Sequence, residues 1–516
     1  MSLLAEIVTR RRERVGREGS SLGASLPPRR RVPVVPFRPG SGAAVARYPG
    51  AVARYPGAVA RYPGAVARYP GAPGLICEIK RRSPSRGGIA PGLDAVTQAG
   101  LYAAAGVRFL SVLTEEDHFD GSLADLVAVK ERFPGLAVLR KDFLLDEADL
   151  EVSARAGADA VLLLAALHDG EALRRLCRRA TELGLAALVE VHDLEEVRRA
   201  RAARPALTGV NSRDLASFRV DPLRPLALRP AIDWETTAVY ESGVGGPEGI
   251  MLARSGGFEA VLVGEAAVRR PEEVGELLAA LDSPLTARGF WARVAGRLGA
   301  SQPGAASRPS GARRPLVKVC GLTRAGDARL AAGLGADLLG FVFAPSPRRA
   351  DPSILRELAD LNALKVGVVT EPEGTGQARE LLEEGLLDAL QLHGEEPPGH
   401  CLAAGFPYYK AVRMRDLADV ARAREYACPR VLADAWSEKA PGGTGRRVRE
   451  DLVGELAAER PLWLAGGLGP DNIREAVRRW RPELVDASSR LESSPGVKDR
   501  AALQRFFGEM AAGGEA

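Results

Sequence analysis

AVLLLAALHDGEALRRLCRRATELGLAALVEV, residues 160–191, carries the pattern that decides the fold. Its two ends, AVLLLA (160–165) and AALVEV (186–191), are apolar runs of strand length. Between them HDGEALRRLCRRATELG (168–184) repeats apolar residues at i, i+3, i+4 and i+7, the spacing of one buried helical face. Strand, amphipathic helix, strand is the repeating unit of α/β folds.

The unit recurs in both directions. LICEIK (75–80), RFLSVL (108–113) and LAVLRK (136–141) precede it, and LTGVN (207–211), AVYES (238–242) and AVLVG (260–264) follow. Eight buried strands, each followed by a helix, is the arithmetic of a (β/α)8 barrel. ASQPGAASRPSGARRP (300–315) then interrupts the pattern with Pro, Gly and Ser, and marks a linker over 283–315. After it the count restarts with LVKVC (316–320), DLLGFVF (337–343), LKVGVV (364–369), LDALQ (387–391), YYKAV (408–412), RVLAD (430–434), PLWLA (461–465) and LVDAS (484–488). The expected fold is α/β, two consecutive TIM barrels over residues 1–282 and 316–516. A chain of 516 residues is in any case too long for one core.

Four perfect copies of AVARYPG occupy 44–71. Pro and Gly in every copy exclude a continuous helix, and solenoid repeats are longer and diverge. The repeat reads as a tandem expansion in a tolerant surface loop. The opening MSLLAEIVTRRRERV lacks the order of a secretory signal and fits a short amphipathic helix. No apolar run is long enough to span a bilayer.

Composition narrows the function classes. Basic and acidic residues nearly balance, 71 against 66, and the arginines spread along helical faces, which weighs against a nucleic-acid surface. Five scattered cysteines, without CxxC or Cys/His ligand spacing, predict neither a disulfide framework nor a zinc site and fit a reducing cytoplasm. The chain uses Arg almost everywhere and has only eight lysines. A lysine at the end of an apolar strand therefore draws notice, because its proton can be tuned and that of Arg effectively cannot.

The strand ends of the first barrel carry Glu78 and Lys80, Lys141, Glu190, Asn211, and Glu241 with Ser242. The C-terminal face of such a barrel is the active one, so these groups should converge on one mouth. Lysines interleaved with carboxylates make an acid/base network in which charges and burial shift pKa values. ESGVGG (241–246) and VGEAAV (263–268) place small residues before helical starts, where free N–H groups suit a phosphate. In the second barrel Cys320 ends the first strand and Asp434 the sixth, a base and an acid on opposite sides of a ring. Arg348 in FAPSPRR (343–349) offers a fork of donors for a carboxylate. LAGGLGPDNI (464–473) and DASSRLE (486–492) repeat the late-strand Gly/Ser pattern. His393 is a lone histidine, open to a structural or a functional reading.

EIKRRSPSRGGI (78–89), LTEEDHFDGSLADL (113–126), LRKDF (139–143), LVEVH (188–192), GVNSRDL (209–215) and ESGV (241–244) resemble, in order, the motifs of indole-3-glycerol-phosphate synthases. That family cyclises carboxyphenylamino-deoxyribulose phosphate and expels CO2 and water. The resemblance implies Lys141 as general acid at the substrate carbonyl and Glu190 as proton carrier in the dehydration. It puts Glu78 and Asn211 on hydroxyls and amine, Lys80 on the carboxylate and Phe143 near the anthranilate ring. Arg213, Glu241 and Ser242 complete the wall, with the backbone of Gly243 and Gly264 on the phosphate. The sequence leaves open which of Glu78, Lys80, Lys141 and Glu190 passes each proton.

KVCGLT, GADLLGFVFAPSPR, LQLHGE, GGTG (442–445), LAGGL and SSPGVKD (493–499) are similar to phosphoribosylanthranilate isomerases. These perform an Amadori rearrangement of an aminoribose phosphate to an aminoketone. By that resemblance Asp434 protonates the furanose oxygen, Cys320 as thiolate takes the C2′ proton, and Arg348 orients the carboxylate. Gly466, Gly467, Ser488 and Ser489 would hold the phosphate, and His393 would belong to the substrate wall. Arg490 stands where the family usually has Gly. Histidine-biosynthetic barrels rely on paired strand-end aspartates, which this chain lacks, and a catalytically dead scaffold would have lost Lys141, Glu190, Cys320 or Asp434. The resemblance implies no metal or cofactor, small phosphorylated substrates and no obligate protein partner.

Overall fold

The computed structural model describes residues 3–40, 74–84, 87–215, 217–283, 289–299, 314–370, 375–402, 406–436 and 447–512. The AVARYPG repeat, residues 300–313 of the expected linker and the GGTG stretch lie outside them. The chain forms two compact units, Met1–Val220 with Leu228–Pro284, and Asp221–Ala227 with Leu285–Ala516.

The first unit is a closed parallel barrel of β1 (Gly74–Ile79), β2 (Phe109–Leu113), β3 (Ala137–Lys141), β4 (Ala160–Leu164), β5 (Ala186–Val191), β6 (Leu207–Asn211), β7 (Thr237–Glu241) and β8 (Ala260–Val263). Each strand pairs with the next, and β8 returns to β1. Chain direction reverses after β3, β4 and β5 at helices that begin on an aspartate. Asp146, Asp169 and Asp193 accept from the backbone N–H of Asp149, Ala172 and Glu196. Such a cap satisfies one of the donors that a helix start leaves orphaned. Ile76, Leu139, Leu162, Leu188, Val239 and Leu262 fill the barrel interior. Phe37 closes its N-terminal end, edge-on to Phe109 at 5.3 Å.

The second unit repeats the plan with β9 (Leu316–Val319), β10 (Leu338–Val342), β11 (Leu364–Val369), β12 (Ala389–Leu392), β13 (Tyr408–Met414), β14 (Val431–Ala435), β15 (Trp463–Leu464) and β16 (Leu484–Ala487). Its main apolar cluster takes Val317, Val319, Leu339 and Phe341. Side chains alternate along a strand, so Lys318, Cys320, Gly340, Gln391 and Asp486 fall on the other, inward face. A helix, Phe290–Gly299, lies within the stretch expected as linker. It lays Phe290 parallel to Tyr409 at 6.5 Å and Trp291 against Trp463 at 5.8 Å. Among the described residues no helix is long and apolar enough to cross a membrane.

Candidate active sites

In the first unit the pleat builds the site. Two residues beyond the interior positions Ile76, Leu139, Leu188, Val239 and Leu262, on the same faces, stand Glu78, Lys141, Glu190, Glu241 and Gly264. A charged ring thus sits one layer above an apolar floor. Lys141 Nζ donates to Glu241 Oε2 at 2.5 Å and to Glu190 Oε2 at 3.1 Å. Asn211 Nδ2 donates to Glu190 Oε1 at 2.9 Å, and Lys80 pairs with Glu78 at 2.7 Å. Two glycines make room. A Cβ at Gly209 would overlap the Glu241 carboxylate, and one at Gly264 would meet Glu78 Oε1 at 2.6 Å and Lys80 Nζ at 2.7 Å.

The ring separates acids from bases. Burial alone would lower the Lys141 pKa, but Glu190, Glu241 and Glu78 outweigh it and hold the ammonium above the usual lysine value. Burial would raise Glu190, yet Lys141, His192 and Asn211 bring it well below the usual glutamate value. Glu241 goes the other way. Burial and repulsion from Glu190 push it up to about 8 against the pull of Lys141. Two carboxylates share one cation, and the second keeps its proton.

Above the ring lies a cavity of about 480 Å³. One side is apolar, with Leu4, Ile7, Phe119 and Phe143; the two phenyl rings stand 6.3 Å apart. Leu4 and Ile7 come from the helix Leu3–Glu18, fastened by Arg11 to Asp142 at 2.8 Å and Asp149 at 2.7 Å. The other end is polar. Ser242 and Gly243 both take left-handed φ, 66° and 73°, and Gly264 starts the helix Glu265–Arg269. Arg269 and Arg270 line this end. A non-glycine residue at such a φ stores strain, a feature that clusters at functional sites.

In the second unit Cys320 follows β9, its N–H bonded to Ala487 O at 2.9 Å. Burial raises the thiol pKa, while the Lys318 ammonium opposes the rise. Asp434 on β14 accepts from His393 Nε2 at 3.1 Å and from the Ala435 N–H at 2.8 Å, which fixes its orientation. Ser488 Oγ and Lys498 Nζ both donate to Cys320 O, at 3.0 and 2.6 Å. Gly466 and Gly467 take φ of 87° and 61°, and Ser489 opens a short 3-10 turn.

Residues 51–279 match the model of indole-3-glycerol phosphate synthase, and residues 317–509 that of N-(5'-phosphoribosyl)anthranilate (PRA) isomerase. The indole-3-glycerol phosphate synthase of Streptomyces griseus is 43% identical over 218 residues, 42% of this chain and 81% of that protein. The chain belongs to both families. The multifunctional tryptophan biosynthesis protein of Schizosaccharomyces pombe is 30% identical over 471 residues, covering 84% of this chain and 59% of that protein. The chain thus spans about three-fifths of that relative's length. A solved phosphoribosyl anthranilate isomerase from Thermus thermophilus, 35% identical, covers 38% of this chain and 98% of its own, with a TM-score of 0.35.

All eleven residues expected at the synthase mouth line this cavity: Glu78, Lys80, Lys141, Phe143, Glu190, Asn211, Arg213, Glu241, Ser242, Gly243 and Gly264. Sequence reasoning missed Leu4, Ile7, Phe119, Arg269 and Arg270, which the cavity adds. It also missed His192, whose Nδ1 lies 2.9 Å from Glu196 Oε2. Its Nε2 approaches Glu190 Oε1 at 3.1 Å, off the hydrogen-bond line.

In the isomerase unit hydrogen bonds link Asp434 and His393 to residues that the sequence did not flag, Gln391, Lys318 and Asp486, and Lys318 lies next to Cys320. Arg348 stands beside Gly321, where a Cβ would meet its Cδ at 2.8 Å. Its Nε and Nη2 are held by Glu492, at 3.0 and 2.9 Å, and Nη1 takes part in neither contact. Arg490, where the isomerase family usually has Gly, turns to Asp471 at 2.8 Å.

Proposed function

We propose that the chain carries out two successive steps of tryptophan biosynthesis. The isomerase unit converts N-(5-phosphoribosyl)anthranilate to carboxyphenylamino-deoxyribulose phosphate, and the synthase unit closes that product to indole-3-glycerol phosphate. The observation that carries the reading is Lys141, partly buried between Glu190 and Glu241 at the synthase mouth. Ring closure needs an acid at the substrate carbonyl, and Lys141 is held protonated. The later loss of water needs a proton carrier, and Glu190 is held ionised. Glu78, Asn211 and Lys80 bind around them. Leu4, Ile7, Phe119 and Phe143 offer an apolar wall to the anthranilate ring, and the Ser242–Gly243 turn with the Gly264 helix start receives the phosphate.

In the isomerase unit Asp434 gives its proton to the furanose oxygen and the ring opens. The Cys320 thiolate then takes the C2′ proton, and the enamine so formed becomes the aminoketone. Gly466, Gly467, Ser488 and Ser489 cradle the phosphate, while Arg348 and His393 complete the wall. Arg348 reaches the substrate carboxylate through Nη1 or by exchanging Glu492 for it. The ligands are small and phosphorylated; a nucleic-acid partner is not part of this reading. Supplying the purified protein with synthetic carboxyphenylamino-deoxyribulose phosphate tests the first half. The reading expects CO2 release with indole absorbance, and release of neither would refute it.

A further inference from the structure

The isomerase reading uses Cys320 and Asp434, and it leaves unexplained a charged layer inside the same barrel. Lys318 is fully buried at the centre of β9. Its Nζ donates to Asp486 Oδ2 at 2.6 Å and to Gln391 Oε1 at 2.7 Å. Tyr409 OH donates to the same Gln391 oxygen at 2.9 Å. An ammonium has only donors, so the Gln391 amide must turn its oxygen to Lys318. Its Nε2 then donates to His393 Nδ1 at 2.7 Å. That nitrogen is an acceptor, the ring hydrogen stands on Nε2, and Nε2–H donates to Asp434 Oδ2 at 3.1 Å. One buried cation thereby dictates that the nitrogen facing the acid carries the ring hydrogen.

The same lysine stands beside the base. A Cβ placed on Gly340 would lie 2.7 Å from Cys320 Sγ and 3.0 Å from Lys318 Cε, so thiol and lysine end share the hollow that this glycine leaves. A buried ion pair is costly and is replaced by apolar residues at little loss where only stability is at stake. This one sits where it can act on both reacting groups.

We propose that Lys318 is a positioning residue of the isomerase site, holding the Cys320 thiolate beside its ammonium and, through Gln391 and His393, setting the donor presented to Asp434. The inference rests on the isomerase reading for its kinetic arm only. Other charged groups also act here: Asp486 and Lys498 on Cys320, Tyr409 on Lys318, and Asp434 and His393 on Asp486.

The test measures the pH dependence of Cys320 alkylation by iodoacetamide in the full chain, with the labelled Cys320 peptide counted by mass spectrometry. Lys318→Met should raise the pH of half-maximal rate by about one pH unit or more, and Asp486→Asn should lower it, since an opposite charge nearby favours the thiolate. The double variant Lys318→Met/Asp486→Asn removes both charges at constant shape and covers the case in which Lys318→Met alone fails to fold; it too should titrate above wild type. Superimposed profiles for wild type and either lysine variant would overturn the proposal, whether or not the protein isomerises anything. Gln391→Leu cuts the relay beyond Lys318. It should leave the thiol titration in place and lower isomerase kcat about tenfold or more, with KM within about twofold. An unchanged kcat would overturn the relay to Asp434.

Discussion

Glu190 and Glu241 are the same residue type on neighbouring sides of one lysine, and their surroundings give them opposite protonation. Glu190 stays ionised far below neutral pH, whereas Glu241 keeps its proton up to about 8. At pH 6.5, Glu190→Gln should therefore cost indole formation on the order of 10²–10⁴-fold, the worth of a positioned proton carrier. Glu241→Gln should cost far less, because the amide replaces a group already neutral there. Comparable losses in kcat would show that the carboxylates are not so divided. His192 approaches Glu190, with Nε2 3.1 Å from Oε1. Burial opposes its charge, but Glu190 and Glu196 lift its pKa from 6.5 to about 10. Its proton is bound more tightly in the folded state, so its stabilisation is complete below about 6.5 and fades as pH rises through about 10. The synthase unit should lose thermal stability across that window, and His192→Gln should flatten the loss. An equally steep decline in the variant would remove His192 from the account. The sequence shows the charged strand ends because they break an apolar pattern. It does not show His192, whose effect depends on a contact with Glu196 one helical turn into the next element.

At the scale of elements, Arg11 is the buried tie between the N-terminal helix and the barrel, with Arg14 adding a more exposed one to Glu116 and Asp117. Arg11 lies between Asp142 and Asp149, all three buried. Removing the cation leaves two buried carboxylates short of a partner, although Asp142 retains Arg140 at 2.8 Å. Arg11→Met should destabilise the synthase unit by about 3–5 kcal/mol, the usual cost of breaking a buried pair. It should also raise KM more than it lowers kcat, since Leu4 and Ile7 touch the cavity and not the charged ring. A normal KM would detach this helix from substrate binding. Strands were legible because each is an apolar run bounded by polar or glycine residues, and β5, β6 and β11 fall on their expected ends. PLWLA shrinks to Trp463–Leu464, since only these two residues pair in the ladder. The interior of the second barrel was not legible. Lys318 lies in the middle of LVKVC, not at the strand end where the lysine signal was sought, although its being one of eight lysines was a usable signal. The helix Phe290–Gly299 was hidden by the Pro/Gly run that follows it.

At the scale of the whole molecule, the two barrels have separate cores, and their boundary precedes that helix. Phe290 and Trp291 belong with Tyr409 and Trp463, so an isomerase fragment beginning at residue 285 should melt at a higher temperature than one beginning at 312. Equal melting temperatures would make the helix a passive tether. On the proposed reading, order along the chain runs against the chemistry, since the second unit would make what the first consumes. The most direct measurement supplies N-(5-phosphoribosyl)anthranilate to wild type, Lys141→Ala and Cys320→Ser and follows both products. Wild type should form indole-3-glycerol phosphate, Lys141→Ala should accumulate the aminoketone and make no indole, and Cys320→Ser should leave the starting compound untouched while still closing added aminoketone. Indole from Lys141→Ala, or near-normal isomerisation by Cys320→Ser, would contradict the assignment of one reaction to each barrel.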